Sequence, residues 1–249
     1  MKHLLFSIIL IFAFSVQAQT NRKISDDLSS NKKIYYSEIQ DSISSINNII
    51  ENLFKEGKDK EGIQYIDTLK NLIQGSYLKN LKFKTLNDSI LDMSKIKKPI
   101  LLQVSATWCN PCMFEIPQLN KMVTKYADSV KFIILFQDTK SKLNRISKKF
   151  SDKIILIPSK NSELYTNRVE INNFTHQLGF PSNYYITSDR IIVNFTRGAN
   201  IPIEYTNKEG EKIKITKEEA ERKNLERMEK EIKKLLTYEK QLYKNEVRR

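Results

Sequence analysis

The sequence predicts an α/β protein, with helices layered on a central sheet. Three observations carry this. The apolar runs at 100–105, 131–136 and 154–157 have almost no polar residue on either face, as buried parallel strands do. Between and around them, apolar residues recur at helical spacing. Two later runs, 184–186 and 191–195, are joined by the tight turn Ser188-Asp189-Arg190 and read as a closing hairpin.

In chain order, Lys2 precedes an apolar run over 4–16, and Val16-Gln17-Ala18 offers compact residues where a signal peptidase reads. This pattern predicts a secretory leader over 1–18, cleaved after Ala18, and the run is short of the ~20 apolar residues a membrane span needs. No cysteine follows at the cleavage point to accept a lipid anchor. Residues 20–33 are polar. Ile39, Ile43, Ile46, Ile50 and Phe54 then mark one helix, and Ile63, Ile66, Leu69, Leu72 and Ile73 a second, with Gly57 between them. The helical extension is placed at 19–78 and read as a packing element.

A hairpin is expected from 81–86 and 90–93, across Asn87-Asp88. After the 100–105 strand comes a helix over 109–126. A basic helix is expected over 141–150, another helix over 162–172, and a turn at Gly179-Phe180-Pro181. The main domain is placed at 79–200. In the remainder, 201–249, a hairpin around Lys208-Glu209-Gly210 precedes Thr216-Lys217-Glu218-Glu219, a capping-box pattern that opens a long charged helix. Leu225, Met228, Ile232, Leu235 and Leu242 line one of its faces, interrupted by Glu239. One interrupted seam is weak coiled-coil evidence, so packing on the chain's own sheet is expected.

The chain has 249 residues, 40% hydrophobic and 29% charged, with six glycines and six prolines, enough for a real core without long linkers. Its formal charge is +13. For an exported chain whose basic residues are mixed with acidic ones, this argues for a solvated surface and against nucleic-acid binding.

Both cysteines fall in Trp108-Cys109-Asn110-Pro111-Cys112, where an apolar strand gives way to a helix. Unpaired N–H groups and the helix dipole at such a start stabilise a thiolate at Cys109, the form that attacks disulfides. Outside the cytoplasm two such cysteines are usually joined. So small a loop gains little chain-entropy stabilisation, which makes a purely structural disulfide a weak explanation. A zinc site needs about four ligands, and the only histidine after the leader is His176, read as a surface or partly buried packing residue. A Cys-His hydrolase would leave the second cysteine unexplained. No metal and no cofactor is expected.

The run Ala106-Thr107-Trp108-Cys109-Asn110-Pro111-Cys112-Met113-Phe114-Glu115-Ile116-Pro117-Gln118-Leu119 resembles the thioredoxin superfamily, and within it the exported thiol–disulfide oxidoreductases of the TlpA/ResA type. A second block, Gly179-Phe180-Pro181-Ser182-Asn183-Tyr184-Tyr185-Ile186, resembles the family segment that carries a cis-proline. The resemblance spans roughly residues 81–198 and implies a thioredoxin-like mixed sheet. It implies that Cys109 attacks, that the more buried Cys112 resolves, and that Pro111 sets the turn. Trp108 would shield the approach, while Phe180 and a cis Pro181 would dock an extended substrate segment. Glu115 would tune the thiols and handle protons. Gln103 stands where thioredoxin itself has a buried aspartate, and Ser188-Asp189-Arg190 lacks the family's usual glycine.

By the same resemblance, the Asn-Pro dipeptide points to the reducing members. A protein-disulfide reductase acting in the periplasm or another extracytoplasmic space is expected. A membrane thiol donor of the DsbD/CcdA type would re-reduce it, and no span would remain after leader cleavage. The alternative is a non-catalytic thioredoxin-like module whose helical extensions bind a partner.

Overall fold

The computed structural model describes residues 33–160, 168–207 and 210–247; the predicted leader lies outside them. The described residues from Tyr35 onward form one compact unit. It begins with the expected helical hairpin, α1 (Gln40–Lys55) and α2 (Asp59–Ile73). Gly57 takes a positive φ of 73° in the turn between them, a conformation open to glycine without steric cost. The short strands β1 (Lys82–Lys84) and β2 (Ile90–Asp92) pair antiparallel, as the alternation predicted.

The central sheet has the order β5-β4-β3-β8-β9. Its strands are β3 (Ile100–Ser105), β4 (Lys131–Thr139), β5 (Ile155–Ser159), β8 (Ser182–Ile186) and β9 (Ile192–Arg197). β3, β4 and β5 run parallel, while β8 pairs antiparallel with both β3 and β9. This is the mixed sheet the resemblance implied. Side chains alternate across it with period two. Ile100, Leu102, Val104, Ile133, Leu135, Tyr184 and Ile186 face a core shared with Ile43, Ile50, Leu69 and Ile73 of the hairpin. Leu101, Phe132, Ile134, Phe136 and Tyr185 face the opposite core. That second core is closed by Ile116, Leu119 and Val123 of α3 (Asn110–Tyr126) and by Met228, Ile232 and Leu235 of the C-terminal helix.

Three expectations are corrected. The basic helix over 141–150 is only α4 (Lys140–Asn144), followed by a separate 3₁₀ turn, Ser147–Lys149. Only Leu143 of α4 is buried, so tertiary packing supports little more than a turn, and short helices are marginal without such support. In the expected 162–172 helix, residues 162–167 lie outside the described residues. The rest is β6 (Val169–Ile171), paired antiparallel with β7 (Phe174–His176). Val169 and Ile171 are buried on either side of exposed Glu170. Asn172 and Asn173 both take positive φ, the two-residue turn that asparagine tolerates and that suits a hairpin. Finally, His176 is fully buried. Its polar ring is accepted in the core because both nitrogens are hydrogen-bonded.

The turn without glycine is closed by Arg190, which itself takes φ 74°. Its guanidinium is anchored on the carbonyls of Met93, Ile96 and Ser188, which holds a conformation that side-chain-bearing residues seldom adopt. The late hairpin is present as β10 (Ile203–Thr206) against β11 (Lys212–Ile215). The last helix, α5 (Lys217–Val247), starts where the Glu219 N–H donates to Thr216 Oγ1 at 3.1 Å. Glu239 does not interrupt its packed face: it is buried there and accepts the N–H (3.1 Å) and hydroxyl of Ser188. Among the described residues, no helix is long and apolar enough to cross a membrane.

Candidate functional site

β3 ends at Ser105, and the next four residues turn the chain into α3. That turn is pinned from β4. The Thr107 N–H and hydroxyl each donate to the Asp138 carboxylate at 2.6 Å. The Trp108 indole N–H donates to Gln137 Oε1 at 2.9 Å, and the Gln137 amide donates in turn to the Arg168 carbonyl. Gln137 and Asp138 are buried at the end of an apolar strand. Two polar residues directly after Phe136 were the available sequence signal for this clamp.

Cys109 caps α3. Its Sγ accepts the Cys112 N–H at 3.2 Å, so one of the helix's unpaired donors points at the sulfur. Pro111 lies in the first turn, where its missing N–H is not needed. Cys109 and Cys112 are joined as a disulfide, with their Cα atoms 5.2 Å apart. Both are buried, Cys112 more so, while Trp108 beside them is 37% exposed.

The predicted second block comes to the same place. The Phe180–Pro181 peptide is cis. Phe180 packs on the cluster of Ala106, Cys109 and Cys112. Its ring meets Trp108 edge-on at 5.7 Å and stacks on His176 at 5.8 Å. Under it runs a neutral hydrogen-bond chain. The Gly179 carbonyl can only accept, so His176 Nε2 carries the proton and donates to it at 2.9 Å. His176 Nδ1 then accepts from the Tyr184 hydroxyl at 2.8 Å, which receives the Tyr36 hydroxyl at 2.7 Å. Burial lowers the His176 pKa to about 4, so the ring is neutral at pH 7. Burial likewise pushes the Tyr36 hydroxyl up to about 12. Tyr36 and Tyr184 are partners that sequence reasoning missed.

Glu115 is 1% exposed, one turn along α3 from Cys112. Gln103 donates to its Oε2 at 3.0 Å and also to Asn183 Oδ1 at 3.0 Å. Arg227, from α5, donates to its Oε1 at 3.0 Å and to the Gly198 carbonyl at 2.6 Å. Burial pushes the Glu115 carboxyl up; Arg227 and the Gln103 hydrogen bond pull the other way without reversing it. Arg227 was not foreseen, because nothing separates it from the other basic residues of a Lys/Glu-rich helix. Among the described residues, no group of three His, Cys, Asp or Glu side chains is placed to hold a metal ion.

Of the predicted site residues, Trp108, Cys109, Pro111 and Cys112 lie at the helix start, Phe180 packs against them with the cis Pro181 next in the chain, and Glu115 follows one turn along α3. The thioredoxin family model matches residues 78–157, a stretch that contains the dithiol. This chain carries a thioredoxin-superfamily domain. It is similar to the thioredoxin-like protein YneN of Bacillus subtilis, 25% identical over 163 residues that cover 65% of this chain and 85% of YneN. Among solved structures, StoA of Bacillus subtilis matches at 16% identity and TM-score 0.36, covering 48% of this chain and 88% of StoA. A secreted disulfide oxidoreductase of Mycobacterium tuberculosis matches at 16% identity and TM-score 0.38, covering 47% of this chain and 83% of its own. The thioredoxin-like stretch, its bonded Cys-x-x-Cys and the cis-proline loop meet in one constellation.

Proposed function

We propose that the protein is an exported thiol–disulfide oxidoreductase that reduces disulfides in other proteins. The observation that carries this reading is the Cys109–Cys112 disulfide at the start of α3, with an α3 N–H directed at Cys109 Sγ. In the reduced protein that N–H and the helix dipole favour a Cys109 thiolate. The thiolate attacks one sulfur of a substrate disulfide and expels the other as a thiolate, which takes up a proton. Cys112 then loses its proton to Glu115 and attacks Cys109, expelling the second substrate sulfur as a thiolate, which takes up a proton. Two electrons pass to the substrate, and the oxidised dithiol remains. Phe180 and Pro181 dock the substrate segment, and Trp108 flanks its approach.

The Asn-Pro dipeptide supports the reducing direction, by resemblance. In an oxidising, extracytoplasmic compartment such a dithiol has to be re-reduced, and a membrane donor of the DsbD/CcdA type fits that need. The predicted leader over 1–18 supports export.

Purified protein with dithiothreitol should reduce insulin disulfides, and Cys109→Ser should reduce none. Equal rates for the two would favour a non-catalytic module that binds a partner through its helical extensions. Cys112→Ser should accumulate mixed disulfides on Cys109 with native clients. A reduction potential near that of DsbA, about −120 mV, would overturn the reducing direction.

A further inference from the structure

The thioredoxin-like match ends well before α5, yet α5 sends a charge to the residue beneath the dithiol. Three observations meet there. Glu115 is buried, and each of its carboxylate oxygens accepts a hydrogen bond, from Gln103 and from Arg227. Both oxygens are thus met by N–H donors, the arrangement that suits the carboxylate form. Arg227 is itself fixed, because its guanidinium also donates to the Gly198 carbonyl at 2.6 Å and to the Arg197 carbonyl at 3.5 Å. The helix around it is held by Ala220, Asn224, Met228 and Ile232, all buried. Asn224 exchanges hydrogen bonds with Asn200, just past the strand end that receives Arg227.

We infer that Arg227 is a positioning residue of the dithiol site, holding Glu115 as the charged base that accepts the Cys112 proton. This rests on the reading of Glu115 as the proton handler. It gives the C-terminal helix a part in the chemistry: among the described residues, α5 supplies the cation that pairs with Glu115. A guanidinium suits the task because it keeps its charge when partly buried.

The groups facing Glu115 are few. Cys112 shares its helix and Cys109 caps it, and Gln103 of β3 and Asn183 of β8 do not titrate. Tyr185 of β8 is held neutral, its hydroxyl pushed up by burial and by the Glu115 charge. Glu231, one turn beyond Arg227, is engaged by Asn194 and Lys234. Removing the Arg227 charge therefore takes away the main opposition to burial. The Glu115 pKa then rises, and the base form appears only at higher pH.

The resolving step can be read directly. Reduced protein treated with 5,5′-dithiobis(2-nitrobenzoate) forms a mixed disulfide at Cys109, and Cys112 expels the second thionitrobenzoate in a separate phase. In Arg227→Gln the pH profile of that phase should move up by about one unit, a tenfold slowing at any pH on the acid limb. Arg227→Lys should restore most of the rate. Glu115→Gln should abolish the limb, and adding Arg227→Gln to it should move nothing further. A profile for Arg227→Gln that superimposes on wild type overturns the inference. So does an Arg227→Gln shift that persists undiminished in the Glu115→Gln background. Should Arg227→Gln not fold, carboxyl titration of the wild type by NMR decides: Glu115 ionised at pH 7 supports the inference, and Glu115 protonated at pH 7 overturns it. A wild type with no second phase fails the dithiol reading itself, a different result from any of these.

Discussion

Two extensions flank the thioredoxin-like domain, and both reach the dithiol site, from opposite faces of the sheet and by opposite physical means. The N-terminal segment approaches through hydroxyls and an imidazole: Tyr36, Tyr184 and His176 end on the carbonyl before Phe180. Every member of that chain is buried and neutral. The C-terminal helix approaches with a charge, through Arg227 on Glu115. The neutral chain supports the shape of the cis-proline loop, whereas the ion pair bears on the charge of Glu115. Burying a satisfied neutral network costs little electrostatically, while a buried carboxylate is tolerated only with a partner. The two extensions should therefore fail differently when cut.

The largest expected effect is at the charged contact. Arg227→Leu leaves Glu115 buried without its cation and should cost about 4 kcal/mol of stability at pH 8. The Glu115 carboxyl is raised by burial, so the folded state binds its proton more readily than the unfolded chain. That contribution is full at acid pH and is lost as pH rises through the folded pKa. The cost of Arg227→Leu should consequently shrink at pH 5, as urea titrations at the two pH values would show. A pH-independent cost would remove the charge from the comparison.

His176 should give the opposite pH dependence. Its folded pKa is lowered from 6.5 to about 4, so its contribution is present above 6.5 and is lost as pH falls from there toward 4. The loss is about 3 kcal/mol. His176→Gln, which can still accept from Tyr184 and donate to Gly179, should flatten that limb in urea titrations between pH 7.5 and 4.5. An undiminished limb would assign the acid sensitivity to another group.

The smallest effect belongs to the end of the neutral chain. Tyr36→Phe removes one hydroxyl donor and should cost about 1 kcal/mol. Because no charge is lost, the pH profile of thionitrobenzoate release should stay where it is. A shift there would mean that the N-terminal route also acts on protonation, and the contrast between the two extensions would collapse.

Local pattern made much of this legible. Apolar runs predicted the strands of the central sheet, since strands buried on both faces need little polar residue. Isoleucine spacing predicted the helical hairpin. The helix over 141–150 failed because basic amphipathic spacing does not reveal how few of its residues are buried. The helix over 162–172 failed at its end because Val169-Glu170-Ile171 is too short to override the helical reading without seeing its partner Phe174–His176.

By itself, the sequence determined that all thiol chemistry sits at Cys109 and Cys112, at a strand-to-helix junction, with Glu115 as the nearest acid. Those are matters of residue type and short spacing. Tertiary structure alone decided that His176 is a buried, neutral strut, that Asp138 clamps the turn before Trp108, and that Arg227 meets Glu115 from 112 residues away. The reason is physical. An arginine in a charged helix carries no local mark of its partner, and a polar residue shows its role only when burial removes water and leaves one group to replace it.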